Sequence, residues 1–384
     1  MLADDDPDKW VLKEHTEVKH RILRKYLVPW TRILSSGNPR IHYFDGFAGR
    51  GYYEDGEPGS PLLAMDVADE HADLFDEFLC TFIEKNSQNY SDLVEAVEQR
   101  ERTVSDKVKV YHHNEAFADV ARDLMDSLEG EIVPSFFFID PFGYKGVPFE
   151  LISEILNLRD QGVEVFLTFM VRDIRRFLTD EGHENSISEI MGTDAWKEIR
   201  DQPNIENKEE EILKLYEQQL KQAADMEYVW PFEMKMPERR ETVYYLIHST
   251  NHFMGFKIMK DVMFVEGAED QFAYLGPEHY GYDSGQQKIF EHTDNGDRRI
   301  HELADYLFEE LEDRRLTFWD VMKETYTETK LIEKHYRKAV KLLAEQHRAE
   351  IHNFPDRPKG STNGVQPDDE VEFVNPNAGL TDWT

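Results

Sequence analysis

Cysteine is almost absent from this chain: Cys80 is the only one in 384 residues. That excludes an intramolecular disulfide and any multi-cysteine metal cluster within the chain. Basic residues are scarce as well, 44 Lys and Arg against 78 Asp and Glu, for a formal net charge of -34. No run approaches the ~20 apolar residues that cross a bilayer, so a membrane is not an expected partner. No basic stretch precedes an apolar one near Met1, so no secretory signal is expected and the reading is cytoplasmic. His112 and His113 are adjacent, and neighbours at an extended strand end face opposite ways, so they make a poor metal pair and no metal is expected. Internal repeats are lacking too.

A chain this acidic repels nucleic-acid backbones at low salt. Its acids are spread along the whole length, not gathered in a tail. That favours a solvated acidic surface suited to high intracellular salt, a halophilic trait, where screening shortens the repulsion. A chain-long mimic of nucleic acid is the alternative, and it would leave the buried strands and glycine loop without a use. Hydrophobic content of 40% with 12% aromatics fits a globular fold of two or three domains.

The most informative stretch that is present is Asp45-Gly-Phe-Ala-Gly-Arg-Gly51, directly after the apolar Ile41-His-Tyr-Phe44. A glycine turn after a first strand lets backbone approach a nucleotide-like ligand without Cβ clashes. The spacing differs from the Gly-x-Gly-x-x-Gly of dinucleotide folds. It resembles motif I of class I S-adenosylmethionine-dependent methyltransferases. In that reading Gly46, Phe47, Gly49 and Gly51 back the cofactor's amino-acid end, and Asp45 holds its ammonium. The plainer alternative is a turn-forming aspartate.

The chain alternates apolar runs with amphipathic stretches. Trp10 to about Leu34 reads as a helix interrupted near Pro29, with Lys19, His20, Arg21, Arg24 and Lys25 as a basic face open to solvent. Strands are expected at Phe78–Ile83, Val108–Tyr111, Ser135–Ile139 and Val163–Val171, with helices at 62–74, 91–100, 117–128 and 149–158. Ser60-Pro61 reads as a helix N-cap followed by proline at the first position. Continuous apolar strands between helices imply a parallel sheet covered on both faces. Thr242–His248 and Phe256–Phe264 read as a terminal antiparallel pair, the feature that separates a methyltransferase-type sheet from a nicotinamide-binding one. The expected fold is thus α/β, a Rossmann-like class I methyltransferase sheet.

Several residues are candidates for chemistry at the strand ends. Glu84, at the tip of the second strand, can accept both ribose hydroxyls of a cofactor. Asn114 and Glu115, after the third, can read an adenine edge. Asp140-Pro141-Phe142-Gly143 ends the fourth strand and resembles the Asp-Pro-Pro-(Tyr/Phe) motif of amino-methyltransferases acting on nucleobases. There the acid and the following carbonyl accept hydrogen bonds from the target amine, and the ring stacks on the base. Phe142 stands where the second proline would be. Cytosine-C5 methylation needs a Pro-Cys nucleophile at that place, and Pro141 is followed by Phe142, so that chemistry is excluded. Cys80 lies inside the second strand as a small hydrophobe. Lys145, Arg172, Arg175 and Arg176 follow strand ends and could meet substrate phosphates or simply pair with acids.

The ordered set of motifs resembles the three-Cys-motif partner protein family of bacteria and archaea. It comprises Lys13-Glu-His-Thr-Glu-Val-Lys-His20 with Tyr26-Leu27, Phe44-Asp-Gly-Phe-Ala-Gly49, Gly59-Ser-Pro61, Phe138-Ile-Asp-Pro-Phe-Gly143 and Ile247-His-Ser-Thr-Asn-His252 with Gly255. The resemblance covers roughly residues 10 to 350 and implies a methyltransferase-like fold and a partner carrying a three-cysteine motif.

The expected organisation is a helical segment over 1–40 and a Rossmann domain over 41–270, with a helical insertion at 173–236. A winged-helix-like domain follows over 286–353, then a poorly ordered tail over 354–384. Lys334, Arg337, Lys338 and Lys341 cluster on one C-terminal helix, which suits nucleic acid or a protein partner. The expected function is methyl transfer to an amine of a nucleic acid. The rival is a non-catalytic interaction protein that keeps the fold and docks the partner.

Overall fold

In the computed structural model the apolar runs become the strands of one large sheet. The structure describes residues 11–127, 132–159, 162–202, 207–236, 241–267, 272–275, 294–352 and 364–374. The strands are β1 (Arg40–Asp45), β2 (Glu77–Ile83), β3 (Val108–His113), β4 (Ser135–Ile139), β5 (Val163–Phe169), β6 (Tyr228–Lys235), β7 (Thr242–Thr250) and β8 (Ala273–Tyr274). Their order across the sheet is β3-β2-β1-β4-β5-β7-β6-β8. β1 to β5 are parallel, and β7 runs antiparallel between β5 and β6. Through β5 this is the doubly wound nucleotide-binding order, whose switch point falls between β1 and β4. The antiparallel β7 inserted near the edge makes it the methyltransferase-type variant of the Rossmann-like fold.

Helices cover both faces. They are α1 (Glu14–Ser35), α2 (Ser60–Glu70), α3 (Ser87–Glu101), α4 (Phe117–Ser127), α5 (Phe149–Leu156), α6 (Val171–Phe177), α7 (Glu184–Met191), α8 (Trp196–Asp201), α9 (Lys208–Gln222) and α10 (Phe253–Glu266). Alternate strand residues serve opposite layers. Phe136 meets Tyr26 and Trp30 of α1 at 5.4 and 5.9 Å between ring centroids. Phe137, the next residue, stacks on Phe44 at 4.3 Å in the core shared with α5 and α9. Both residues are therefore buried, which is why these strands read as unbroken apolar runs. Cys80 is buried within β2, as a small hydrophobe should be.

Four expectations need correction. Residues 256–264 are not a strand but the body of α10; Phe253, Phe256, Met259, Lys260, Met263 and Phe264 are its buried arc, at helical spacing. The strand that pairs with β7 is instead β6, inside the stretch read as helical insertion. Pro231 obscured it, because proline cannot donate to a ladder; among the described residues β8 pairs with Glu233 and Met234 and not with Pro231. Ser60 is not the cap of α2, which starts from Gly59; the Ser60 hydroxyl bonds Asp45 instead. The basic face of α1 is only partly open to solvent: Lys19 and His20 are buried, while the more exposed Arg24 pairs with Glu70, and Arg21 and Lys25 reach the buried Glu266 of α10.

The Ile247–His252 motif has a packing role. His248 Nε2 lies 2.7 Å from Glu164, which also accepts from the Tyr26 hydroxyl. A Cβ at Gly255 would stand 3.0 Å from that hydroxyl and 3.1 Å from Glu164. This buried cluster sits at the start of β5, the opposite sheet edge from the glycine turn.

The chain divides into two compact units, 1–277 and 278–384. α1, read from the sequence as a separate segment, belongs to the first. The second holds α11 (Asp294–Leu311), β9 (Arg315–Thr317), α12 (Phe318–Thr325), α13 (Glu333–Glu345), β10 (Ala349–His352) and β11 (Glu370–Phe373). Its strands form an antiparallel sheet in the order β10-β11-β9. Thr317 caps α12 through the Asp320 N–H at 3.1 Å. Thr329 does not cap α13, which begins after Ile332; its hydroxyl lies 3.1 Å from that of Tyr336. The tail expected to be poorly ordered supplies β11, whose Val371 and Phe373 are buried. The rest of that expectation, 354–363 and 375–384, lies outside the described residues.

Gly51 is required by the fold. Its φ is 85°, and an added Cβ would stand 2.7 Å from Cβ of Ala96 on α3. Gly51→Ala is expected to cost about 2–6 kcal/mol, the sum of left-handed strain and overpacking. A lowered denaturation midpoint at unchanged slope is the readout; an unshifted midpoint would contradict it.

Candidate active site

The C-terminal ends of β1, β2 and β4 gather most of the expected residues. Asp45, the last residue of β1, is 0% exposed. Its carboxylate accepts from the Phe47 N–H at 3.2 Å and the Tyr43 hydroxyl at 3.3 Å. Burial pushes its pKa from 3.8 up to about 7; the Ser60 and Phe47 hydrogen bonds oppose that, and the charge of Asp140 adds to it. Asp45 therefore carries a proton for part of the time near neutrality.

The glycine turn then crosses to the end of β2. Gly46 donates to the Phe138 carbonyl at 2.9 Å and Ala48 to that of Ile83 at 2.9 Å. Gly46 is small because of Phe117, whose ring would lie 2.7 Å from a Cβ. Phe47 packs on the same ring. Gly49, at φ 67°, donates its N–H to Glu84 Oε2 at 3.0 Å. Glu84 Oε1 accepts from the Asn86 N–H at 2.7 Å. The carboxylate expected at the ribose thus also braces the turn against the loop after β2. Asn114 braces the same loop, donating to the Glu84 and Lys85 carbonyls at 2.9 and 3.1 Å. Its amide group is committed to the chain. Glu115 is exposed, 3.9 Å from His113.

Asp140 follows β4. Thr168 of β5 donates to its Oδ1 at 2.5 Å, and Lys19 of α1 forms an ion pair with its Oδ2. The Lys19 side chain is 7% exposed and that of Asp140 22%. Asp140 opens onto a cavity of about 610 Å³ that also takes in Phe142, Thr168, Arg172 and Tyr244. Phe142 is 52% exposed, an unusual state for a large aromatic. Tyr244 is buried, and its hydroxyl has no hydrogen-bond partner among the described residues. His15 also lines the cavity; burial, then Lys19 and Lys13, holds its pKa down at about 4, so its imidazole is neutral.

The expected residues therefore fall into separate groups. Asp45, the glycine turn, Glu84 and Asn114 surround the β1–β2 end. Asp140, Pro141, Phe142, Arg172 and Arg176 line the cavity. Lys145 is exposed beside the Tyr144 ring and is not part of that lining. Arg175 turns to Glu209 at 2.8 Å. Lys334, Arg337, Lys338 and Lys341 lie on α13 in the second unit, where Arg337 pairs with Glu333 and covers the Phe318 ring. Sequence reasoning missed Lys19, Thr168 and Tyr244. A signal existed for Lys19: with Leu23, Tyr26 and Trp30 it follows the buried arc of α1. Among the described residues one trio of potential ligand groups converges, Glu350, His352 and Glu372, and a His352–Glu372 hydrogen bond of 2.9 Å accounts for its closeness.

No protein family and no curated protein matches the chain. Solved structures do, distantly. A Legionella pneumophila protein, LPL1258, aligns over 68% of this chain and 93% of its own at 14% identity, TM-score 0.40. Trm1 from Pyrococcus horikoshii, solved with S-adenosyl-L-methionine, aligns over 64% and 58% at 9% identity, TM-score 0.34. An O-methyltransferase from Bacillus cereus, in complex with SAH, aligns over 63% and 94% at 12% identity, TM-score 0.31.

Proposed function

We propose that this protein transfers a methyl group from S-adenosylmethionine to an amine of a nucleic acid. The observation that carries the reading is the placement of Asp45 and Asp140 at the ends of adjacent strands, β1 and β4, on the edge where open parallel sheets bind ligands. The residues present suit the cofactor. A buried carboxylate with its pKa raised to about 7 gains from an ammonium partner. Glu84 at the β2 tip, with the positive-φ Gly49 beside it, suits a ribose. The cofactor supplies an electrophilic methyl group on a sulfonium.

Asp140 and the Pro141 carbonyl would accept hydrogen bonds from the target amine and aim its lone pair at that methyl group. A carboxylate offers about four lone-pair sites. Thr168 and Lys19 take one on each oxygen, so acceptor capacity remains. Phe142 would stack on the base. In the second unit the order helix, strand, helix, helix, strand, strand supports a winged-helix reading, in which α13 would dock nucleic acid or a three-cysteine-motif partner.

The rival reading, a non-catalytic scaffold, draws on one feature: Lys19 already occupies Asp140. Calorimetry with S-adenosylmethionine at high salt separates the two. One-site binding that weakens in Glu84→Ala is expected. Absence of binding to the wild-type protein would remove the enzymatic reading.

A further inference from the structure

Several Lys and Arg side chains of this acidic chain form no ion pair among the described residues, and three of them meet in one cavity. The cavity at Asp140 is lined by five Lys and Arg side chains and only three acids, Asp140, Asp173 and Glu241. Asp140 is already bound to Lys19, and Lys235 lies 3.1 Å from Glu233. Lys13, Arg172 and Arg176 are different. Among the described residues none of the three forms an ion pair with a carboxylate, although the chain has nearly two acids per cation. Their neighbours show the contrast. On α1, Arg21, Arg24 and Lys25 are all matched to acids. On α6, Arg175 pairs with Glu209 while Arg172 and Arg176, one helical turn apart, line the cavity.

We infer that Lys13, Arg172 and Arg176 form a phosphate-binding subsite of the acceptor cavity, so that the acceptor is a nucleotide unit carrying a phosphate ester. Arginine is suited to this because its planar donors match phosphate oxygens. The exposed Phe142 ring gives the base a stacking surface in the same cavity, and Asp140 gives its amine an acceptor. The cavity, at about 610 Å³, is within the range of sites that enclose a small ligand. On a surface that repels polyanions, a local excess of cations inside one cavity admits phosphate there and discourages it elsewhere. The phosphate could belong to a free nucleotide or to a strand, and the experiment separates these. The inference rests on the methyl-transfer reading for the role of the cavity, but its test reads binding alone.

The test measures binding of AMP and CMP, of adenosine and cytidine, and of a six-residue single-stranded oligonucleotide, over a series of KCl concentrations. Nucleotides are expected to bind more tightly than nucleosides. Arg172→Gln and Arg176→Gln should each weaken the nucleotides about tenfold, as for loss of one charge-assisted contact, and leave the nucleosides unchanged. Each should also lower the oligonucleotide's log–log salt slope by about 0.7. Lys214→Gln, an ion-paired lysine on α9, should change nothing. An oligonucleotide binding far tighter than AMP or CMP assigns a strand; equal binding assigns a free nucleotide. No preference for nucleotide over nucleoside, or no effect of either arginine variant, overturns the subsite. Cofactor calorimetry on the same samples keeps the two proposals apart: its failure beside intact nucleotide binding would sink only methyl transfer.

Discussion

Asp140→Ala is expected to abolish methyl transfer while S-adenosylmethionine still binds. In the proposed reading the cofactor is held at the ends of β1 and β2, whereas Asp140 lines the cavity assigned to the acceptor, so its contribution is made only with the amine. Removing one preorganised acceptor from a partly buried site typically costs about 10²–10³ in turnover. The variant also strands Lys19, whose side chain is 7% exposed, and removing one member of a buried pair costs about 3–5 kcal/mol of stability. Lys19→Met combined with Asp140→Ala relieves that charge. The double variant should regain stability without regaining activity. Phe142→Ala should weaken the acceptor by about 1–3 kcal/mol, the usual value of a base–aromatic stack. Labelled-methyl transfer to total nucleic acid reads the outcome. Equal labelling by wild type and Asp140→Ala would end the catalytic assignment.

Cofactor affinity should rise with pH up to about 7 and fall again above about 8. The lower limb comes from Asp45. Its folded pKa is raised from 3.8 to about 7 by burial, so the neutral form is the stabilised one in the unliganded protein. That stability contribution is complete below 3.8 and is lost as pH rises through about 7. An ammonium partner favours the carboxylate, pulls the pKa down and expels a proton on binding, about tenfold in affinity per pH unit below 7. The upper limb is the cofactor's own α-amino group, which loses its charge near about 8. Asp45→Asn should flatten the lower limb and weaken binding about tenfold to a hundredfold, as for a lost charge-assisted hydrogen bond. Calorimetry in two buffers of different ionisation heat detects the proton directly. Affinity unchanged between pH 5 and 7 would show that Asp45 does not meet the ammonium.

The parallel half of the sheet was legible because burial on both faces writes it as apolar runs, and the glycine turn because its residues are contiguous. Phe256–Phe264 misled for the same reason: α10 is buried over so much of its surface that its run resembles a strand. β6 was hidden by Pro231, and β11 by the polar company of Glu370 and Glu372. Asp140 was visible as a strand-end acid, but its partner was not. Lys19 lies 121 positions away, and only the α/β packing brings α1 over the end of β4. Likewise nothing local says that each Glu84 oxygen also accepts one hydrogen bond from the chain's own backbone.

The acceptor cavity draws on widely separated parts of the chain, from Lys13 to Tyr244. During synthesis the segment that carries Lys19 emerges first, and β7, whose Tyr244 ring lies 5.9 Å from Lys19 Nζ, comes more than two hundred residues later. At the ribosomal rate of about 5–20 residues per second, the N-terminal helix waits on the order of ten seconds or more for its counterpart. Asp45, Glu84 and the glycine turn are complete much sooner, within the first three strands. On the methyl-transfer proposal, a growing chain thus assembles the methyl-donor end before the acceptor end exists, and the two come into register only when the antiparallel strand joins the sheet.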